Sequence, residues 1–372
     1  MAPATRSLRR DKVESLVDST AAAADQLMHG DLRDLKNFDD SDEYDEGREG
    51  GERLAGSSKL ASSERSLRRP SKVPEILRFP LVVILSFVGK GLAYSLSAAY
   101  LDREELGRVS RRAEGWDEVG ILFGWRTLEL ALGWFGNYDG YDIAALSLLS
   151  HGPPLYLLGT FYEVGLETVL SSLLIDTLAT YVPFRLLRPL SAAHADSPSA
   201  PNRNIISDLP IQTITTLLAA SIYSVTLYSS YLTYMPTYLA TYFEGIPSIA
   251  AVHSATPTSL LPTTLLLGLA TRSFIFTPAT ATEPSDSKGP RFNPETATLE
   301  ETIWYNLWGW SKKTKVIIKR TATSMIVTGI NTFVQTYFTV EGVEARGAVA
   351  YTGAWVVAAG ICGGVLGFVG AV

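Results

Sequence analysis

Three carboxylates, those of Glu163, Glu167 and Asp176, lie within residues 156–184, a stretch that is otherwise apolar. On a continuous helix, Glu163 and Glu167 would be about 40° apart and share a face, whereas Asp176 would lie about 180° from Glu167. A charged side chain at the centre of a lipid bilayer costs about 2.5–3.5 kcal/mol on insertion scales. We therefore expect each acid to face protein or water, and to be either paired with a cation or protonated.

Two basic residues in other apolar stretches could pair with these acids. Lys90 lies in the middle of residues 79–101, and Arg126 lies in residues 119–135, where Glu129 follows three positions later. In a structural hypothesis, one of these cations neutralises the two glutamates and fixes which helices are neighbours. In a functional hypothesis, the glutamates form a proton or cation site, as carboxylates in carriers do. Two cations for four acids leave some acids unpaired, so both hypotheses stay open.

The stretches that carry these charges are long and apolar enough to cross a bilayer, which takes about 20 helical residues. A weaker candidate is 119–135, and 143–150 is too short to span alone. The sequence His151-Gly152-Pro153-Pro154, which follows the short stretch, predicts a helix break. The strong candidates are 79–101, 155–182, 209–231, 246–270, 321–340 and 348–372.

Basic residues predict the orientation of these spans. Lysine and arginine cluster in residues 65–78 and 312–320, and residues 185–208 carry three arginines and two aspartates. The positive-inside rule places all three regions in the cytoplasm. An odd number of crossings must then occur between residues 102 and 184. We predict an all-α, polytopic transmembrane bundle over residues 76–372, with six spans, or eight in the alternative, and both termini in the cytoplasm.

Residues 1–75 differ sharply from the rest of the chain, because they are polar and dense in charge. The acidic run 38–52 cannot form a core, so we expect a disordered cytoplasmic tail. Apolar residues at helical spacing within 11–29 predict a short amphipathic helix, either transient or docking on a partner protein or the membrane surface. Ser71 follows basic residues and is a candidate phosphorylation site.

A cytoplasmic loop and an interfacial helix are predicted over residues 271–320. Capping residues begin the helix near Asn293, and tryptophans and a basic cluster follow. Aromatic rings at headgroup depth beside lysines favour binding to anionic lipid, although the helix could instead pack on its own bundle. The predicted lipid contacts are Trp304, Trp308, Lys312, Lys313, Lys315, Lys319 and Arg320.

The last predicted span is rich in glycine, and small residues at such spacing let helices approach closely. They could serve packing within the fold or a homo-oligomer between copies. Asn331 and Gln335 of the preceding span could form hydrogen bonds across the same interface. The glycines are Gly360, Gly364, Gly367 and Gly370.

Several kinds of chemistry lack the residues they need. The single cysteine, Cys362, allows neither an internal disulfide nor a thiolate zinc site, and the four histidines form no metal-spaced pair. Phosphate-binding, serine-nucleophile and histidine-box motifs are missing from the sequence. The NYDGYD motif at 137–142 has the Tyr-Asp pairing of intramembrane aspartyl proteases but no partner motif, so we interpret it as a turn. We expect no enzyme, no cofactor, no metal and no nucleic-acid partner.

These observations favour a non-catalytic, multi-pass protein of an internal membrane, either the endoplasmic reticulum or the nuclear envelope. It would organise lipid or partner proteins through its tail and interfacial helix. The alternative is a secondary transporter or channel-like protein that uses Glu163 and Glu167. No inverted repeat is visible in the sequence, which counts against the transporter.

Overall fold

The structure, a computed structural model, describes residues 74–98, 104–112, 115–195, 202–282, 298–299 and 311–371, and these residues are almost entirely helical. The predicted all-helical class is confirmed for this part of the chain. The helices are α1 (Glu75–Ser97), α2 (Glu104–Val109), α3 (Trp116–Phe135), α4 (Gly140–Phe161), α5 (Leu166–Leu187), α6 (Arg203–Ser207), α7 (Leu209–Leu232), α8 (Met235–Tyr242), α9 (Ala250–Ser254), α10 (Pro257–Thr271), a π-helical turn (Arg272–Phe276), α11 (Thr277–Thr280), α12 (Lys312–Thr339) and α13 (Ala345–Ala371).

The long helices alternate in direction along the chain. Phe79, early in α1, packs its ring 5.4 Å from that of Phe135 at the end of α3. After α5, Arg188 donates to the Gly133 and Tyr138 carbonyls, which flank the turn between α3 and α4. We call this end of the bundle, where α1, α4, α7 and α12 begin, the basic end.

The opposite end, which we call the acidic end, is where α3, α5, α10 and α13 begin. There the Tyr162 hydroxyl donates to the Glu244 carbonyl. The backbone N–H of Arg111 donates to the Thr339 carbonyl at the end of α12. Contacts at both ends thus establish an up-and-down order for eight long helices, counting α10 through α11 as one.

Five of these helices are long and apolar enough to cross a membrane by length and composition. Helices α3, α4 and α12 are also at least 20 residues long but are not among these five. The five are Glu75–Ser97, Leu166–Leu187, Leu209–Leu232, Pro257–Thr280 and Ala345–Gly370.

The predicted single span 155–182 is wrong, because the chain breaks between α4 and α5. Glu163 lies in this break with a φ of 56°, in the left-handed region that ends a helix. Conversely, the predicted break at Pro153 and Pro154 is wrong, since α4 runs through both prolines.

Helix α12 explains how α4 tolerates two consecutive prolines. A proline lacks the N–H that would donate to the carbonyl four residues earlier, so Pro153 and Pro154 release the carbonyls of Leu149 and Ser150. The Thr328 hydroxyl donates to the Leu149 carbonyl (3.3 Å), and the Asn331 amide donates to the Ser150 carbonyl (2.8 Å). Neighbouring side chains therefore replace the missing backbone bonds, as an environment without water requires.

Asn331 also accepts a hydrogen bond from the Trp125 indole N–H, at 3.0 Å, so that one amide joins α3, α4 and α12. The prediction that Asn331 bonds toward the last helix is wrong. Within α13, Gly360 and Gly367 lie against Met325 and Ile317 of α12, whereas a Cβ added at Gly364 would meet open space. Gly360 and Gly367 thus serve packing within the fold, and an oligomer through α13 stays a prediction.

Replacing Asn331 by leucine should lower the free energy of unfolding by about 2 kcal/mol, because the Ser150 carbonyl and the Trp125 N–H would both lose their partner in the interior. Gln335→Leu, one turn further along α12 at a partly exposed position, is the matched control and should change stability by less than 1 kcal/mol. Unfolding of the purified full-length chain in detergent measures both. Equal effects of the two substitutions would contradict the role given to Asn331.

Candidate functional site: two buried charge networks

A central network of charged side chains lies at mid-height in the bundle. The Lys90 ammonium in α1 lies 2.6 Å from a carboxylate oxygen of Asp176 in α5. The Arg126 guanidinium lies 2.8 Å from the Glu129 carboxylate, one turn further along α3. Asp176 is 5% exposed, Arg126 7% and Glu129 4%, so each acid is paired where hydration is poor.

Helix α4 completes the central network through polar side chains. The Ser150 hydroxyl donates to the second oxygen of Glu129, at 3.2 Å, and lies 3.0 Å from Nδ1 of His151. His151 Nδ1 also lies 3.1 Å from the Ser147 carbonyl. The network consists of Lys90, Arg126, Glu129, His151 and Asp176.

The pairing resolves the imbalance of charge that the sequence suggested. Two cations face two acids, and the central network is neutral when His151 is neutral. Buried ions need partners because the desolvation penalty of an unpaired charge is several kcal/mol. The arrangement therefore stabilises a particular set of neighbours: Lys90 joins α1 to α5, and Glu129 joins α3 to α4.

Glu163 and Glu167 do not belong to the central network. Glu163 lies in the loop before α5, Glu167 lies in the first turn of α5, and both are exposed at the acidic end. Within the described residues, neither forms an ion pair. The predicted shared face, and its neutralisation by Lys90 or Arg126, are wrong because the helical geometry assumed an unbroken helix through residue 163. Asp176 stands apart from both glutamates, as predicted, but Lys90 is its partner.

A second network, which we call the corner network, lies at the basic end and consists of Asp139, Asp142, His194 and Arg320. Arg320 of α12 donates to both oxygens of Asp142, at 2.6 and 2.9 Å, and Asp142 is fully buried. The same guanidinium lies 5.0 Å from the ring centroids of Tyr138 and Phe274. It also donates to the Phe274 carbonyl at the π-helical turn.

Asp139 is the N-cap of α4 and holds a second loop in place. Its carboxylate accepts from the backbone N–H of Asp142, from the backbone N–H of Ser191 and from Nδ1 of His194, each at 2.9 Å. Burial by itself would raise the pKa of the Asp139 carboxyl, but the hydrogen bond and charge of His194, with the two backbone donors, lower this pKa well below its usual range. The group therefore stays ionised at neutral pH.

The corner network could in principle hold a metal ion, because one ligand atom each from Asp139, Asp142 and His194 lie within 4.8 Å of one another. Arg320, however, already engages both oxygens of Asp142, and three N–H donors surround Asp139. Because both carboxylates are already neutralised, we describe the corner network as a set of structural ion pairs and not as a metal site. The predicted turn at 137–142 is confirmed only for its first part: Asn137, at φ 59°, lies in a turn, whereas residues 140–142 begin α4. Sequence reasoning missed its buried acids, although Asp at N-cap and N3 is a recognisable capping pattern.

Three of the predicted lipid-contact residues share a face of α12. Lys312 and Lys319 are exposed and Lys315 is partly exposed, at positions that lie within about 60° around the helix. Lys313 instead donates to the Gly370 carbonyl of α13. The prediction that Arg320 contacts lipid is wrong, because its side chain is 11% exposed and bound to Asp142.

Trp304, Trp308, Ser71 and the amphipathic helix at 11–29 lie outside the described residues.

The fold and its networks thus define an all-helical protein with paired charges in its interior and five helices suited to a membrane. Residues 208–362, from α7 through most of α13, match the family model of the Bouquet formation protein 3 C-terminal domain. Searches of curated proteins and of solved structures found no match. The matched region supplies Arg320 and Asn331, whereas their partners Asp142 and Trp125 precede it.

Asp176→Leu should lower the free energy of unfolding by about 2–3 kcal/mol, because it leaves Lys90 charged and unpaired. This value is below that for a fully buried pair, since the Lys90 side chain is 30% exposed. Adding Lys90→Met should restore most of the loss. Thermal or chemical unfolding of the full chain in detergent provides the measurement.

Glu167→Leu, on the same helix but exposed, serves as the control and should cost less than about 1 kcal/mol. If Lys90→Met fails to rescue Asp176→Leu, the ion pair is not what the aspartate contributes.

Proposed function

We propose that this protein is a non-catalytic, multi-pass membrane protein of an internal membrane that organises lipid or partner proteins. The observation that carries the proposal is the pairing of every acid in the central network with a cation, in a bundle with five helices suited to a membrane. A carrier site would keep titratable or ion-binding carboxylates open at mid-height. Glu163 and Glu167 are instead exposed at the acidic end.

The alternating helices favour eight spans over six. The antiparallel order of α3, α4 and α5 supplies three crossings where a six-span protein has one. The outward faces of the helices are apolar, as contact with a bilayer requires. On α5, for example, the exposed fractions of Leu170, Leu174 and Leu178 are 45–57%.

The distribution of charge supports a cytoplasmic basic end. Arg185 and Arg188 lie there with the lysines of α12, whereas the acidic end carries Glu244, Glu341 and Glu344. By the positive-inside rule, the basic end faces the cytoplasm. Residues 75 and 371 both lie at this end, in agreement with two cytoplasmic termini. The tail, with Ser71 and the helix predicted at 11–29, would be available there to protein partners.

The match to a bouquet formation protein favours the nuclear envelope over the rest of the endoplasmic reticulum. It also suggests a part in bouquet formation for this chain. The proposal of a non-catalytic organiser fits this match, since each buried acid among the described residues lies in an ion pair, and two of these pairs, Lys90–Asp176 and Arg320–Asp142, join different helices.

Cysteine labelling in sealed microsomes tests the eight-span arrangement. In a Cys362→Ala background, Asn137→Cys should react with a membrane-impermeant maleimide from the cytoplasmic side, because residue 137 is exposed at the basic end. Glu167→Cys, at the acidic end, should react only after the membrane is permeabilised. With six spans and one crossing before residue 184, residue 137 would be protected, and that outcome would overturn eight spans.

The place of action can be tested by imaging the full chain fused to a fluorescent protein at its C-terminus, expressed at native level. We expect enrichment at the nuclear rim relative to a general endoplasmic reticulum marker. A plasma-membrane or mitochondrial signal would contradict the proposal. A variant lacking residues 1–73 serves as a comparison. If this variant stays in the endoplasmic reticulum but is no longer enriched at the nuclear rim, the tail is what retains the protein at the rim.

A further inference from the structure

A groove of about 260 Å³ lies between α3 and α12 at the basic end. Its walls are apolar and open outward, since Leu128 is 50% exposed and Phe135 is 73% exposed. The residues that line it are chiefly Leu128, Ala131, Leu132, Phe135, Tyr138 and Thr323.

Both polar groups that line the groove already have hydrogen-bond partners within the protein. The Tyr138 and Thr323 hydroxyls lie 3.1 Å apart and share a hydrogen bond, and Thr323 also bonds to the Lys319 carbonyl at 2.9 Å. The groove therefore presents hydrocarbon to whatever occupies it. A polar ligand would lose its hydration there without gaining a partner.

Cationic groups lie directly above this groove, toward the cytoplasmic face. Lys319 precedes Thr323 by one helical turn on the same face of α12, and Lys315 precedes Lys319 by another turn. Neither lysine forms an ion pair with a described residue. The neighbouring Arg320 does not contribute, because it is turned inward to Asp142. Positive charge and a hydrocarbon groove thus follow one another along a single face.

We propose that the α3–α12 groove binds one anionic phospholipid, with its phosphate at Lys315 and Lys319 and one acyl chain along Leu128 and Leu132. This occupant follows from charge complementarity at the top of the groove and from apolar walls below. The inference rests on the proposed function, because it takes α3 and α12 to be in the bilayer with the basic end at the headgroups. It adds a defined site to the general attraction of lysines for anionic lipid.

Native mass spectrometry of the purified full-length chain in detergent tests this site with phosphatidylserine as the probe. Lys315→Gln with Lys319→Gln should weaken binding about 25-fold, taking about fivefold for each lysine charge near an anionic group. Arg108→Gln with Arg346→Gln removes two exposed charges at the acidic end and should leave binding unchanged.

The groove itself is tested by Leu132→Trp, which fills it and should weaken binding at least tenfold. Leu174→Trp, at an exposed position of α5, is the matched control and should have no effect. If Leu132→Trp does not fold, the unmodified chain gives the same test: dihexanoyl phosphatidylserine, with short acyl chains, should bind much more weakly than the long-chain lipid.

Three outcomes would overturn the site. Competition by inorganic phosphate as strong as by phosphatidylserine would make it an anion site. Equal binding of phosphatidylcholine would remove the role of charge. Loss of binding in the lysine variant without any effect of Leu132→Trp or chain length would leave only general attraction at the surface. The last outcome contradicts the groove but not the proposed function, whose own failure would appear as a plasma-membrane or mitochondrial signal of the fluorescent fusion.

Discussion

The carbonyls that Pro153 and Pro154 release in the middle of α4 are the constraint on which the rest of the bundle depends. In an interior without water they must find donors, and α12 supplies them through Thr328 and Asn331. This requirement sets the register of α12 against α4. About two turns from Thr328 toward the start of α12, the same register brings Arg320 to Asp142 at the basic end. A local defect in one helix thus specifies a neighbour and its alignment.

The ion pairs add specificity more than stability. Removing two charges from water costs about as much as their mutual attraction returns, so a buried pair is weak evidence for a stable fold. An unpaired partner is costly, however, and this asymmetry excludes alternative packings. Lys90 can satisfy Asp176 only if α1 lies on α5, and Glu129 reaches Ser150 only if α3 lies on α4. The corner network does the same at the basic end.

The lysines of α12 show how position within one helix separates two roles. Lys315 and Lys319 lie on the outward face, where positive charge can meet headgroups, and the groove beneath them is apolar. Arg320, next to Lys319, donates to the Asp142 carboxylate of α4. Lys313, two residues before Lys315, donates to the Gly370 carbonyl at the end of α13. A rotation of about 100° per residue therefore decides between an outward-facing lysine and a side chain that bonds within the bundle.

The sequence by itself determined the helical class, the apolar stretches and the excess of basic residues at one end, because these follow from composition and periodicity along the chain. It also showed that mid-span charges needed partners. Only the tertiary structure decided which partners: Lys90 took Asp176, and Glu163 fell in a break between helices. The predicted helix break at the proline pair in α4 was wrong for the same reason. The side chains that donate to the released carbonyls lie some 180 residues away in the sequence. Ion pairs and these hydrogen bonds depend on distances in space, and a local sequence pattern carries no information about such distances.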